Sequence, residues 1–274
     1  LVETNADILI LWRKLIMRLM KRILSVAAVL ALSASLLVGC SSGTASSVPV
    51  SASSAAESTV SSVEETASSA VDENEAAAAQ LLNDLTGSYQ ELWPVILADE
   101  YKQTWLDDCT ALVGEDNAEA AFEKLSSMVT GDVYGEDAVK AYANGGGAYF
   151  CGFTNSLATL TFDGETSTIS GTDKDGNVLF SHTYHYIGME PVRGLYEFES
   201  DDADSGEFTY FFLAPDTSAE TYHIEFRYGS DAEALSQYDA GEYAYWLASG
   251  ISTDCDQTMI DNCIELFCTE NLAG

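Results

Sequence analysis

From about residue 148 to residue 228 apolar and polar side chains alternate with a period of two, the spacing of half-buried β-strands. Residues 148–153 and 157–162 read as the first two strands, the second ending at the Asp163-Gly164 turn. Asp175-Gly176 marks another hairpin, with Thr168-Ile169 before it and Val178 to Ile187 after it. Further strands fit 194–199, 207–213 and 221–228. At least six short strands joined by tight turns can bury one shared face only by curling. The segment therefore predicts a meandering antiparallel barrel or a strongly curled sheet.

Helical spacing flanks this region. Between Leu81 and Val113 the apolar positions Leu85, Tyr89, Leu92, Trp93 and Ile96 follow a helical period, and Pro94 starts a new helix or kinks this one. Trp105, Cys109, Leu112 and Val113 continue the pattern until Gly114 ends it. Ala121, Phe122, Leu125 and Met128 mark a second helix. Met259, Ile260, Cys263, Ile264 and Phe267 form a stripe near the end, behind an expected cap at Asp254. The expected fold class is mainly β with α: helices, then an antiparallel β-barrel, then a C-terminal helix.

The first 80 residues are of another kind, since all tyrosines and phenylalanines lie beyond them. From Met17, the basic cluster Arg18, Lys21 and Arg22 precedes an uncharged apolar run, Ile23 to Val38. That run is short and rich in Ala and Ser, and no basic residues follow it to stop transfer, which argues against a spanning anchor. It ends in Leu37-Val38-Gly39-Cys40, which resembles the lipobox of bacterial lipoproteins, whose Cys thiol takes the lipid. Residues 17–39 are thus expected to be a signal peptide, and Cys40 a lipid anchor on the extracytoplasmic face of the cell membrane. Residues 1–16 read as a start placed too early, with Met17 or Met20 as the true beginning.

Residues 41 to about 79 are nearly all Ser, Ala, Thr, Val and Glu, too poor in apolar surface to offset the entropy of ordering. They read as a tether about 30–37 Å long on average. The Ala-rich stretch from Ala76 to Ala79 fits the first turn of a helix equally well. The expected globular domain is 80–274. The whole chain carries a formal charge of −33, and only 6 of its basic residues stand beyond Cys40. Such a body repels nucleic acid and anionic membrane and gathers cations around itself.

Beyond Cys40 stand Cys109, Cys151, Cys255, Cys263 and Cys268, an odd number. On one helix, Cys255 and Cys263 would be about 12 Å apart along the axis, and Cys263 and Cys268 about 7.5 Å. Neither pair can close there, so any bridge uses Cys109 or Cys151. No CxxC supports a zinc ribbon or a thioredoxin-type motif.

Several segments resemble one family. Leu85-Thr-Gly-Ser-Tyr-Gln90 with Trp93-Pro94 is similar to the opening helix of the ZinT/YodA zinc-recruitment proteins. Arg193-Gly194-Leu195-Tyr196-Glu197-Phe198-Glu199 resembles their RGVRYLFE strand. Phe211-Phe-Leu-Ala-Pro215, Thr221-Tyr-His-Ile224 and Gly229-Ser-Asp231 resemble the segment that carries the family's zinc ligands. Each motif is short, but they run in the same order with similar gaps over roughly residues 82–270. The resemblance implies a lipocalin-like (calycin) barrel, zinc as cofactor, delivery to a metal ABC transporter, and a monomer.

The family's three histidine ligands match Phe211, Thr221 and His223, so only His223 keeps the chemistry. Phe cannot ligate, and Thr is a poor zinc ligand beside imidazole. A replacement set is conceivable from strand alternation, which puts His223 and Glu225 on one face. Of the other two histidines, His182 points with Phe180 and Tyr184, His185 to the opposite side, so at most one joins His223. The candidate metal residues are His223, Glu225 and His182; a hydrogen-bonded barrel histidine without metal is the plain alternative for each.

Other signatures are lacking. Asp173-Lys-Asp175-Gly176-Asn177 resembles the start of a calcium loop but has no Glu at the twelfth position, and a hairpin turn explains it. The acidic loop from Asp201 to Glu207 could hold calcium only loosely. There is no GxSxG, HExxH or phosphate-binding Gly-rich loop, and carboxylates are too many for an acid–base pair to stand out. A binding protein rather than an enzyme is expected. Three readings remain: a metal-binding lipoprotein, a lipocalin-like binding or interaction module without metal, and a hydrolase or isomerase built on Tyr and carboxylates. Cys40→Ala is expected to block lipid attachment, so that labelled palmitate enters the wild type and not the variant. Incorporation at the wild-type level would refute the lipobox.

Overall fold

The computed structural model describes residues 73–214 and 223–273. Cys40, the signal segment, the tether up to residue 72 and Thr221 lie outside the described residues. Its elements are a helix over residues 73–84 (α1), β1 (Gly87–Glu91), α2 (Leu92–Ile96), α3 (Lys102–Val113), α4 (Glu115–Val129) and α5 (Glu136–Ala143). The strands β2 (Thr159–Asp163), β3 (Thr168–Thr172), β4 (Val178–Met189), β5 (Tyr196–Ser200) and β6 (Tyr210–Leu213) follow. β7 (His223–Gly229), α6 (Ala232–Leu235), β8 (Ala248–Ser252) and α7 (Gln257–Leu272) complete the order.

The eight strands form a closed barrel in sequence order, each antiparallel to the next, with β8 returning to β1. This is the up-and-down closure of lipocalin-like folds. Alternation fills the interior: Tyr89, Leu160, Phe162, Ile169, Phe180, Phe198, Phe211, Ile224, Phe226 and Tyr228 join one buried cluster. Cross-strand pairing aligns Phe198 with Phe211 and Phe211 with Tyr228, and the Phe211 ring lies 5.4 Å from that of Tyr228. α1 adds Ala78, Leu81 and Leu82 to the same cluster. Ala78 is fully buried, so the domain begins earlier than residue 80, and the Ala-rich end of the expected tether is a helix packed on the core.

A second apolar cluster lies on the outside of the wall. Ile251 of β8 points outward and is covered by Leu92, Trp93 and Ile96 of α2, Trp105 and Cys109 of α3, Leu125 of α4, and Ile260 and Ile264 of α7. Trp105 donates its indole N–H to the Ile96 carbonyl at 2.7 Å and packs on Phe122 and Phe267. Pro94 falls in the first turn of the short α2, where its missing N–H costs nothing. Gly114, at φ 85°, takes the left-handed conformation that separates α3 from α4.

The structure corrects the expected elements at four places. Residues 87–91 are a strand, not helix: Gly87 sits at φ 145°, and Tyr89 pairs with Leu160 on one side and Ser252 on the other. The helical spacing of Leu85 and Tyr89 was outweighed by these two ladders. β8 escaped notice because all five of its residues are buried, leaving no alternation to read. Residues 148–153 make isolated bridges through Phe150 to Thr130 and Trp246 rather than a strand. α7 is capped by Asp256, whose carboxylate accepts from the Met259 N–H at 3.0 Å, not by Asp254. The Asp173 turn is the plain hairpin expected, its carboxylate accepting from the Asp175 and Asn177 N–H groups.

Arg227 fixes the long connection between β7 and β8. It points outward from β7, is fully buried, and donates to the carbonyls of Leu235, Gln237 and Tyr243. Its guanidinium lies 4.3 Å from the Tyr238 ring centre. Burial pulls its pKa below the ordinary arginine value, the sign expected for a desolvated cation. Arg227→Ala is therefore expected to leave buried carbonyls unpaired and to cost about 3–5 kcal/mol. Thermal unfolding of the variant should show a midpoint lower by roughly 10 °C. A variant within 2 °C of wild type would remove Arg227 from this role.

Candidate functional site

β7 is the strand on which the sequence places its metal candidates. Ile224, Phe226 and Tyr228 point inward, which sends His223, Glu225 and Arg227 to the outer surface of the wall. His223 is paired with Ile251 and Glu225 with Ser249, so both stand over the β7–β8 ladder. Two residues apart on one face, their Cα atoms are about 7 Å from each other, within reach of a shared ion.

Glu225 also faces the helical layer. Burial pushes the Cys151 thiol up to about 12, and the Glu225 charge adds to that push. The Cys263 thiol is likewise raised to about 12, by burial first, then by Cys255 and Glu225. Both sulfurs stand near the Glu225 carboxylate and are held as thiols by burial. Among the described residues no group of three or more His, Cys, Asp or Glu is placed to hold a metal ion. Of the sequence candidates, His223 and Glu225 share the outer face of β7, one a nitrogen donor and one a carboxylate.

The remaining sequence candidates do not converge on this pair. Phe211 points into the barrel, fully buried, its ring 5.4 Å from that of Tyr228 and 5.8 Å from that of Phe180. It is paired with Tyr228, five residues along β7 from His223 and on the opposite side of the wall. His182 is equally remote. His182 shares the inward face of β4 with Phe180 and Tyr184, which belong to the barrel interior, whereas His223 stands on the outer face of β7. The wall lies between them, so they cannot share an ion.

His182 has a different partner. Its Nδ1 lies 2.7 Å from Asp202 Oδ2, and His185 Nδ1 lies 2.7 Å from Asp201 Oδ1. Consecutive aspartates at the end of β5 thus bind two histidines on opposite faces of β4. The sequence offered the acidic loop as a loose calcium site; the cross-strand register, which no local pattern encodes, assigns its first two carboxylates to imidazoles instead.

A cleft of about 380 Å³ opens where β1 runs into α2, walled by Glu91, Trp93, Leu97, Phe150 and Cys151. Glu91 is oriented there by the Phe153 N–H, which donates to its carboxylate at 2.6 Å. The cleft is bounded by aromatic and aliphatic surface with one acid, suited to a small ligand with an apolar body.

No protein-family model and no curated protein matches the sequence. Among solved structures, the chain is similar to the Zn(II)-bound ZinT-like domain of Streptococcus pneumoniae AdcA, at 16% identity and a TM-score of 0.43. That likeness covers 67% of this chain and 89% of the domain. It is similar also to Zn(II)-bound AdcA of Streptococcus pneumoniae, at 15% identity and a TM-score of 0.39, covering 70% of this chain and 35% of the longer protein.

Proposed function

We propose that this protein is a non-catalytic, extracytoplasmic metal-binding lipoprotein that holds zinc at His223 and Glu225 and passes it to a metal ABC transporter. The observation that carries this reading is the pair itself: an imidazole and a carboxylate side by side on the outer face of β7. Supporting it is the collinear resemblance of the sequence to zinc-recruitment proteins, in which His223 occupies a ligand position. The strongly anionic body, at −33 for the whole chain, raises the local concentration of cations. The lipobox-like Leu37 to Cys40 supports a lipid anchor on the outer side of the membrane. With only two side-chain donors, water completes the coordination of zinc, and binding is weaker than at a three-histidine site. Weak, open coordination suits a protein that hands its ion on.

A barrel that serves as a binding or interaction module without metal is the second reading, favoured by the absence of a three-donor group among the described residues. In that reading the ligand occupies the cleft beside Glu91, because the barrel interior is filled by Phe162, Phe198, Phe211, Phe226 and Tyr228.

Calorimetric titration of chelator-treated protein separates the two. One zinc per chain is expected, with micromolar affinity; His223→Ala removes the stoichiometric site and Glu225→Gln weakens it by about tenfold or more. Binding fades as pH falls through the range where imidazole protonates, because only the neutral ring ligates. No uptake at tens of micromolar zinc, or wild-type binding by His223→Ala, would reject the metal reading and favour the second.

A further inference from the structure

Five cysteines lie within the described residues, and two of them meet. Cys109 on α3 and Cys268 on α7 are both fully buried, with their sulfur atoms 3.9 Å apart. They are separated by 159 residues in sequence. The helices that carry them are locked by large side chains on either side of the pair. Trp105, one turn before Cys109, packs its ring 6.0 Å from that of Phe267, the neighbour of Cys268. The two sulfurs are thus held facing each other by the same apolar contacts that dock α7. A disulfide needs about 2.05 Å between sulfurs, so closure asks for an approach of about 2 Å, within what side-chain rotation and a small helix shift supply. The other thiols are disposed differently: Cys151 points at the Tyr149 carbonyl, 3.9 Å away, and Cys263 lies beside Cys255 on the same stretch of chain.

We propose that Cys109 and Cys268 are a disulfide-forming pair that staples α7, the last element of the fold, onto the helical layer outside the barrel. The oxidant is a low-molecular-weight disulfide such as glutathione disulfide. The thiolate of one cysteine attacks it, forming a mixed disulfide and releasing one glutathione thiolate. The second cysteine then attacks the mixed disulfide, forming the intramolecular S–S bond and releasing the second glutathione. Two protein thiols lose two protons and two electrons, and one glutathione disulfide gains them. Burial raises the pKa of both thiols and so keeps them protonated in the folded state. The exchange is therefore slow once the domain is closed and fast when α7 opens. The bond would enclose every strand from β2 to β8 in one covalent loop, and long loops gain most from closure.

The test is made on the full chain, equilibrated with glutathione disulfide, quenched in acid, alkylated and digested without reduction. Mass spectrometry should find one cross-linked peptide pair joining Cys109 to Cys268, with Cys151, Cys255 and Cys263 alkylated. The oxidised protein should unfold roughly 5–15 °C above the dithiothreitol-treated protein. Cys109→Ser and Cys268→Ser should each abolish both the cross-link and the dependence on reductant. The peptide map of the wild type stands whether or not the variants fold. Alkylation of both Cys109 and Cys268 after oxidation, or a bond from either to another cysteine, would overturn the proposal.

Discussion

The pairing of β1 with β8 is the constraint on which the rest of the molecule depends. These strands stand at opposite ends of the domain's sequence, yet Tyr89 pairs with Ser252 and Glu91 with Gly250. Bringing such ends together costs roughly 4–5 kcal/mol of chain entropy. The closure is repaid on both sides of the wall. Inside, Tyr89 joins the aromatic cluster; outside, Ile251 becomes the floor on which α2, α3, α4 and α7 pack. A closed barrel also leaves no strand edge open to another chain. Without this one ladder the outer helices would have nothing to cover.

The strands β2 to β4 were legible because burial alternates along them. The Asp163-Gly164 and Asp175-Gly176 turns told where to fold them. The ladder that closes the barrel was not legible. β1 shows helical spacing at Leu85, Tyr89 and Leu92, and its true state is decided by neighbours on both edges. β8 is covered by the interior on one side and by helices on the other, so its sequence, Ala248 to Ser252, carries no period. The site was read to the same extent. That His223 and Glu225 share a face follows from alternation along one strand. That Phe211 and His182 face the interior while His223 faces out follows from how the strands close on one another, which no window of sequence contains.

β7 shows how one strand can serve two ends on a single face. At its start His223 and Glu225 stand over β8, near the thiols of Cys151 and Cys263. Two residues on, Arg227 is sunk under the connection that leads to β8 and shares the Tyr238 ring with Arg193, at 4.3 and 4.5 Å. The buried Glu190 accepts from the N–H groups of Val192 and Arg193 beside this stack. The metal candidates are therefore anchored one turn of pleat away from the most enclosed polar cluster of the fold. The backbone carrying His223 and Glu225 is set by that cluster on one side and by the β8 ladder on the other.

The interior placement of Arg227 has an electrostatic consequence for the whole domain. It withdraws one of the few cations from a surface that has little to spare. Lys102, Lys140 and Lys174 are already held by neighbouring carboxylates, at 3.0 Å in each case. What solvent meets is close to a polyanion, whose compact state concentrates mutual repulsion that the unfolded chain disperses. At physiological ionic strength the screening length is about 8 Å, comparable to the spacing of surface charges. Added salt therefore relieves the folded form more than it weakens these few exposed pairs, and the domain gains stability with ionic strength where a protein held by surface ion pairs would lose it.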